Sequence, residues 1–556
     1  MRKSTIVTCV GAIFVLAACA HKGPAAGGGA PGGKDGAAAV AAAKKRPRPE
    51  TPEFWRADGA AALAKAQAAP PAPVARARNL ILFVGDGLGV STVTAARILQ
   101  GQQKEKAEPG EDNALAFETF PATALLKTYN EDLQIPESAG SMTAMLSGVK
   151  TRGASVGLDS VPTRGQCAEA KGHEAYSLLE QAKDAGLSAG LVTDMRVTHA
   201  VPAAAYAHVS DRDWEVDDRL PQIALDQNCK DIARWLVEFD HHGMLDVVFA
   251  GGRAAFLPKP PEGVEDDLRR YGARTDGQDL IAVWRRRFPL GRYYLNGSDL
   301  AGLEWASVTG PVLGLFARDN MQYESRRVQE SGEPSLTQMT ATAIVGLSRN
   351  PRGYVLVVDA GNIDRAHHAG DARDALIQTI ELADAVRAAV ELTSPTDTLI
   401  VVASTNSHTL TLGGVAARGN PILGLSRTET GALAKDVFGK PFTTLAYANG
   451  PGAPPTPPAE DTPNDQRQMV AATRLDAETH GGEDTPLYAR GPGSQWFHGV
   501  LEQNAVYWIA RAALNDFKPP PPPAKRAWYK PPPLPKSLPK VWPFGGKKDD
   551  KAKPPA

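Results

Sequence analysis

The stretch Asn79–Gln100, NLILFVGDGLGVSTVTAARILQ, constrains the fold more than any other. Residues 79–84 are a nearly unbroken apolar run, which predicts a strand buried on both faces. Such a strand belongs in a sheet covered by helices on either side. The run ends in Gly85-Asp86-Gly87, where glycines let the chain turn sharply and leave one carboxylate uncrowded. Ser91–Leu99 then predicts a helix. Ligands of open α/β sheets sit at the carboxyl ends of the strands. An Asp there, followed by a helix N-terminus, suits a cation, a phosphate or both. A tight turn with a capping Asp is the plainer alternative at this point.

The alternation continues along the chain. Strands are predicted over 189–192, 247–250, 354–358 and 398–403, and helices over 138–146, 176–185, 231–238, 336–348, 374–392 and 497–514. This pattern predicts an α/β fold, a three-layer sandwich with a central, mostly parallel sheet between helices. A length of 556 residues permits several domains, and one large domain over 50–516 fits it. Residues 412–475 break the rhythm; rich in Gly, Pro and polar residues, they predict an inserted cap.

Both ends of the chain have a different character. Arg2 and Lys3 precede a short apolar run, and Leu16-Ala17-Ala18-Cys19 looks like a bacterial lipobox. Residues 1–18 are therefore expected to be a signal peptide and Cys19 to carry lipid. Ala20 follows Cys19 where a retention signal would need Asp, so the expected location is the outer membrane of the cell envelope. Residues 19–49 read as a flexible Ala/Gly/Pro-rich tether, and Thr51-Pro52 as the start of a helix. Residues 517–556 read as a Pro-rich basic tail, either a solvated spacer or a contact to envelope polyanions. Net charge is −1, which names no partner, and no nucleic acid is expected. Once Cys9 is removed and Cys19 lipidated, Cys167 and Cys229 remain as an expected disulfide in an oxidising compartment.

Five stretches carry chemistry. Gln134–Gly140 places Ser138 at a predicted helix N-terminus, where N–H groups favour an oxyanion. Asp359–His368 packs Asp359, Asp364, His367 and His368 into ten residues after a buried strand, a donor set suited to zinc-like cations. Ser404–His408 follows another strand. Glu478–Asp484 offers His480 as a ligand, and Asp211–Trp214 offers Arg212 as a fork for phosphate. The last three, taken singly, read more readily as solvated polar loops.

Together these motifs resemble the alkaline phosphatase family, from about Thr51 to Leu514. They are GDGLGVSTVTAARIL, YNEDLQIPESAGSMTAMLSGVK, RVTHAVPAAAYAHVSDRDW, LSRNPRGYVLVVDAGNIDRAHH and LDAETHGGED. The resemblance implies hydrolysis of phosphomonoesters through a phosphoserine intermediate, with Zn2+ and Mg2+ as cofactors. Ser138 matches the nucleophile and Arg212 the phosphate clamp. Asp364, His368 and His480 match one zinc site, and Asp86 the carboxylate bridging the second zinc and the magnesium. The Cys167/Cys229 pair matches a disulfide of the animal members. Residues 412–475 match the crown insertion, and the Thr51 helix matches the arm of a homodimer.

The match breaks at one side of the site. Thr405 and Asn406 stand where the family has an Asp-His pair on the second zinc, and they are weak ligands. Asp359 replaces a Glu and Val201 a hydroxyl at the magnesium. Arg365 replaces a His of the animal members and is expected to put a guanidinium near the weakened site; Glu137 replaces an Asp before the nucleophile. Three readings follow: a phosphomonoesterase with altered metal use, a non-catalytic phosphate-binding member of the fold, and a phosphodiesterase on the same scaffold.

Overall fold

The structure, a computed structural model, describes residues 76–104, 109–264, 267–268, 270–327, 332–452 and 468–517. The leader of residues 1–18, Cys19, the tether to residue 49, the Thr51 helix and the tail from residue 518 lie outside the described residues.

A ten-stranded sheet carries the fold. Its strands are β1 (Asn79–Val84), β2 (Ala122–Lys127), β3 (Ser188–Arg196), β4 (Val247–Gly251), β5 (Arg292–Tyr294), β6 (Val312–Leu315), β7 (Tyr354–Asp359) and β8 (Thr398–Ala403), joined by β14 (Thr485–Arg490) and β15 (Gly499–Glu502). Short strands β9 (Ser407–His408) and β13 (His480–Gly481) pair with each other, and β10 (Leu410–Leu412), β11 (Leu445–Gly450) and β12 (Ala471–Arg474) form a separate small sheet. The order is β15-β2-β14-β8-β1-β7-β3-β4-β6-β5. From β8 to β5 every pair is parallel; β14 alone runs against its neighbours.

Strand β1 shows why the sheet is covered on both faces. Leu80, Leu82 and Val84 join one apolar core, while Ile81 and Phe83 join the other. Strands β7 and β8 alternate in the same way, with Val357 and Val401 on one face and Val358 and Val402 on the opposite one. Helix α1 (Val90–Gln103) covers the second face with the long helix Ala372–Leu392; helix α2 (Ser138–Ser147) covers the first. Val84 aligns with Asp359 of β7 and Ala403 of β8. That register delivers the residues after all three strands to one edge of the sheet.

One expected element differs. Residues 497–514 are not a single helix. Gly499 takes φ +71°, a left-handed value that stops a helix, and Val500 and Leu501 pair with Leu125 and Leu126 as edge strand β15. The helix proper is Ala505–Ala513. Strand β2 carried no signal strong enough to name, because only alternate residues of it are buried.

Cys167 and Cys229 are disulfide-bonded, with Cα atoms 6.2 Å apart and a sequence separation of 62. The bond closes a long loop, and loop-closure entropy assigns such a bridge about 4 kcal/mol. Replacing both cysteines with Ser should lower the unfolding free energy by about that amount, read from denaturant melts. Thiol titration of the unreduced, denatured chain should find neither cysteine free.

Candidate active site

Asp86 leaves β1 fully buried. Gly87 makes that position accessible to its partners. Its φ is +85°, and an added Cβ would lie 2.7 Å from the His408 ring and 3.0 Å from the Asp364 backbone. The helix Asn362–His368 follows β7 and presents Asp364 and His368 at i, i+4, on one face. Strand β9 pairs with β13 so that His408 and His480 are direct partners.

These elements converge on Asp364. Its Oδ1 lies 2.9 Å from His408 Nε2 and 3.1 Å from His480 Nε2, and its Oδ2 lies 3.4 Å from His368 Nε2. The ligand atoms of Asp364, His368, His408 and His480 all fall within 4.8 Å of one another. Each outer nitrogen is fixed. His368 Nδ1 donates to the Glu478 carbonyl at 2.5 Å, and His480 Nδ1 donates to the Pro136 carbonyl at 2.8 Å. His408 Nδ1 meets the Glu478 carboxylate. Such bonds set the tautomer and aim Nε2 inward. Burial pushes the Asp364 carboxyl up, but the surrounding imidazoles outweigh it and hold it well below the usual carboxylate range. Burial opposes the charge on His408, yet Asp364 and Glu478 raise it to about 9.

The sequence pointed to Asp364, His368 and His480 but passed over His408 and Glu478. No local pattern marks His408, since Ser407, His408 and Thr409 are all polar and the Glu478 that holds His408 lies seventy residues further on.

The Ser138 side is built differently. Ser138 Oγ lies 3.2 Å from Asp86 Oδ1 and 3.3 Å from Asn406 Oδ1. Thr405 Oγ1 donates to Asp86 Oδ1, and Asn406 Nδ2 donates to Asp364 Oδ1 at 3.4 Å. The structure therefore brings Asp86, Ser138, Thr405 and Asn406 together: Ser138 and Thr405 are neutral donors to Asp86, and Asn406 spans from Ser138 to Asp364. Burial, then the charge of Asp364, pushes Asp86 up to about 7, against the pull of Thr405, His480 and Arg212. Asp359 is raised well above the usual range by burial and by Asp86 and Asp194. Its Oδ2 accepts from Thr193 at 2.7 Å, while its Oδ1 is buried with no partner. Val201 is buried in the core and offers no donor.

Two expectations are corrected here. The first concerns the helix N-terminus. Glu137 caps α2 with its own side chain, accepting from the N–H groups of Ala139 (2.9 Å) and Gly140 (3.3 Å), and also from Ala154 (2.7 Å). Those helix donors are therefore engaged by a carboxylate of the chain itself. The second concerns Arg365. Its Nη1 donates to the Met321 carbonyl (3.1 Å) and Asn362 Oδ1 (2.9 Å), and its guanidinium sits 4.4 Å from the Tyr323 ring centre. It serves that neighbourhood rather than the Ser138 side, because a carbonyl and an aromatic face are the nearer partners.

Arg212 takes the cationic role instead. Its Nη1 donates to Glu137 Oε1, and its Nη2 donates to His199 Nε2 at 3.0 Å. Burial and the charges of Arg212 and Arg196 push His199 well below its ordinary value, keeping it neutral as that acceptor. Ser138, His199, Arg212, Asp364, His368 and His480 line one cavity of about 460 Å³.

The model of the family described as alkaline phosphatase matches residues 77–515. The chain belongs to the alkaline phosphatase family. The tissue-nonspecific isozyme of Gallus gallus is 44% identical over 470 residues, spanning 83% of this chain and 88% of its own length. The Homo sapiens isozyme is 42% identical over 468 residues, spanning 82% and 87%. Two solved structures share the fold. Alkaline phosphatase from the Antarctic bacterium TAB5 has TM-score 0.54 at 20% identity, covering 79% of this chain and 99% of that one. The Thermus thermophilus enzyme has TM-score 0.55 at 23% identity, covering 79% and 92%. Family and fold together make the chain a phosphoester hydrolase.

Alkaline phosphatases generally use Zn2+ and Mg2+, and the residues here fit that set unevenly. One carboxylate and three imidazoles around Asp364 are a zinc-class donor set. The Ser138 side offers one carboxylate with hydroxyl and amide oxygens, which does not fit a second zinc. The orphaned Asp359 Oδ1 beside Asp86 is oxygen-only and suits a hard cation such as Mg2+.

Glu137 is the joint between helix α2, which carries Ser138, and Arg212. Burial opposes its charge, but Arg212 and the N–H groups of Ala154 and Ala139 hold its carboxyl below the ordinary 4.5. A depressed pKa contributes stability above the unfolded value and loses it as pH falls through the folded value. Breaking a buried pair of this kind costs about 3 kcal/mol. Glu137→Gln should therefore show a deficit of that order in urea melts at pH 7, shrinking as the pH drops below about 4.5. A deficit that stays constant into acid would contradict this role.

Proposed function

We propose that the chain is a phosphomonoesterase that works through Ser138 with reduced metal content. The observation that carries this is the cavity itself, in which the Ser138 hydroxyl and the Arg212 fork face the Asp364, His368 and His480 cluster. Arg212, held by Glu137, binds two oxygens of the phosphoryl group bidentately. Asp86 accepts the hydrogen bond from Ser138 and takes its proton as Oγ bonds to phosphorus. The bond from phosphorus to the substrate oxygen breaks in the same step, and the departing alkoxide takes a proton from water in the cavity. Water then attacks phosphorus, the Ser138 Oγ–P bond breaks, and the proton returns to Oγ. Asp364, His368 and His480, with His408 beside them, would hold a zinc-class ion, which would supply Lewis acidity and lower the pKa of water. The lipobox ending at Cys19 supports an envelope lipoprotein, and the family supports a homodimer.

Ser138→Ala should abolish a phosphoenzyme trapped by acid quench and reduce turnover to background. Full turnover in that variant would mean that water attacks directly.

A second reading rests on the closed hydrogen-bond set of Thr405, Asn406, Ser138 and Asp86, which favours binding of phosphate without turnover. Turnover of a phosphomonoester separates the two, and metal content tests the single-site premise they share. Elemental analysis should find one tightly held zinc per chain. Thr405→Asp with Asn406→His should raise that to two and speed hydrolysis about tenfold, ~1.4 kcal/mol of barrier. Two zincs in the unaltered chain would contradict the single-site reading.

A further inference from the structure

A second cavity, of about 600 Å³, opens beside the first. Its lining includes Tyr129, Leu133, Gln134, Gly482 and Asp484. The two cavities are consecutive along both bounding segments. Gln134 lines one and Ile135 the other; Gly482 lines one and His480 the other. The divide between them is low. An added Cβ on Gly482 would meet the Ile135 side chain at 2.7 Å, so the missing side chain is what lets Ile135 lie flat there. The same divide is pinned to the site, because the Pro136 carbonyl accepts from His480 Nδ1.

The apolar groups here are unusually exposed for their size. Tyr129 is 43% exposed, Leu133 41% and Ile135 45%. They run from the groove to the mouth of the catalytic cavity. Tyr129 is also held in place: Lys150 Nζ sits 3.2 Å from its ring centre and donates to its carbonyl at 2.9 Å. An aromatic ring fixed on one side by an ammonium is a prepared stacking surface on the other. The charged lining is mainly acidic. Glu131, Asp132 and Asp484 are in the groove, while Lys127 is engaged by Glu502 at 3.1 Å. A leaving group bearing further negative charge would be repelled.

We propose that this groove seats the alcohol portion of the substrate, and that it selects phosphomonoesters of planar, uncharged alcohols of nucleoside size over small alkyl esters. The proposal rests on the phosphomonoesterase reading. Neither Tyr129 nor Leu133 touches the phosphoryl group in it; both act on specificity. A base stacked on an aromatic side chain typically gains enough for about a tenfold preference.

The test compares guanosine 5′-monophosphate with ethyl phosphate, both esters of alkyl alcohols, on the full chain and on Tyr129→Ala with Leu133→Ala. The expected result is a kcat/KM preference of about tenfold for the nucleotide, lost in the double variant while ethyl phosphate turnover is unchanged. An unchanged preference in the variant, or equal loss on both substrates, would overturn the groove. If the unaltered chain turns over neither ester, calorimetry with the nucleotide and with inorganic phosphate decides. Tighter nucleotide binding that the double variant loses supports the groove. Phosphate binding without nucleotide preference overturns the groove, the absent turnover having already removed the catalytic reading; binding of neither overturns the phosphate-binding reading as well.

Discussion

Three carboxylates, Asp86, Asp359 and Asp364, are buried in one another's field at the carboxyl edge of the sheet. Burying like charges is prohibitive unless something compensates them. The chain compensates only one. Asp364 is ringed by imidazoles whose far nitrogens are anchored on Glu478 and Pro136. Asp86 and Asp359 receive hydroxyls from Ser138, Thr405 and Thr193 instead. The site consequently has a cationic half and a half that still needs protons or a hard cation.

The scaffold makes this asymmetry unavoidable. Parallel strands β7, β1 and β8 end level with one another, so whatever follows them is forced together. Gly87 then allows the His408 ring and the Asp364 backbone to approach closer than any side chain would permit. Glu137 joins the first turn of the helix that carries Ser138 to Arg212, which fixes the spacing of those two side chains.

Much of this was legible in the chain. The buried strands announced themselves as apolar runs, and Asp359, Asp364 and His368 lie within ten residues of one another after such a run. His408 and Glu478 were not legible, because a strand pairing between β9 and β13 brings them in from residues some seventy apart in sequence. The end of the chain misled for a related reason. Residues 499–502 satisfy helix spacing, but a free sheet edge at β2 offered them backbone partners.

The sequence alone determined the layered sheet and the carboxylate at the end of its central strand. These depend on side-chain type and short-range order, which neighbouring residues set. Tertiary structure alone decided where Arg365 points, whose carboxylate fills the N-terminus of the Ser138 helix, and which imidazole joins Asp364. Each of those is a choice among hydrogen-bond partners distant in sequence. Such a choice is made by which group packing brings within about 3 Å, and sequence spacing carries no record of it.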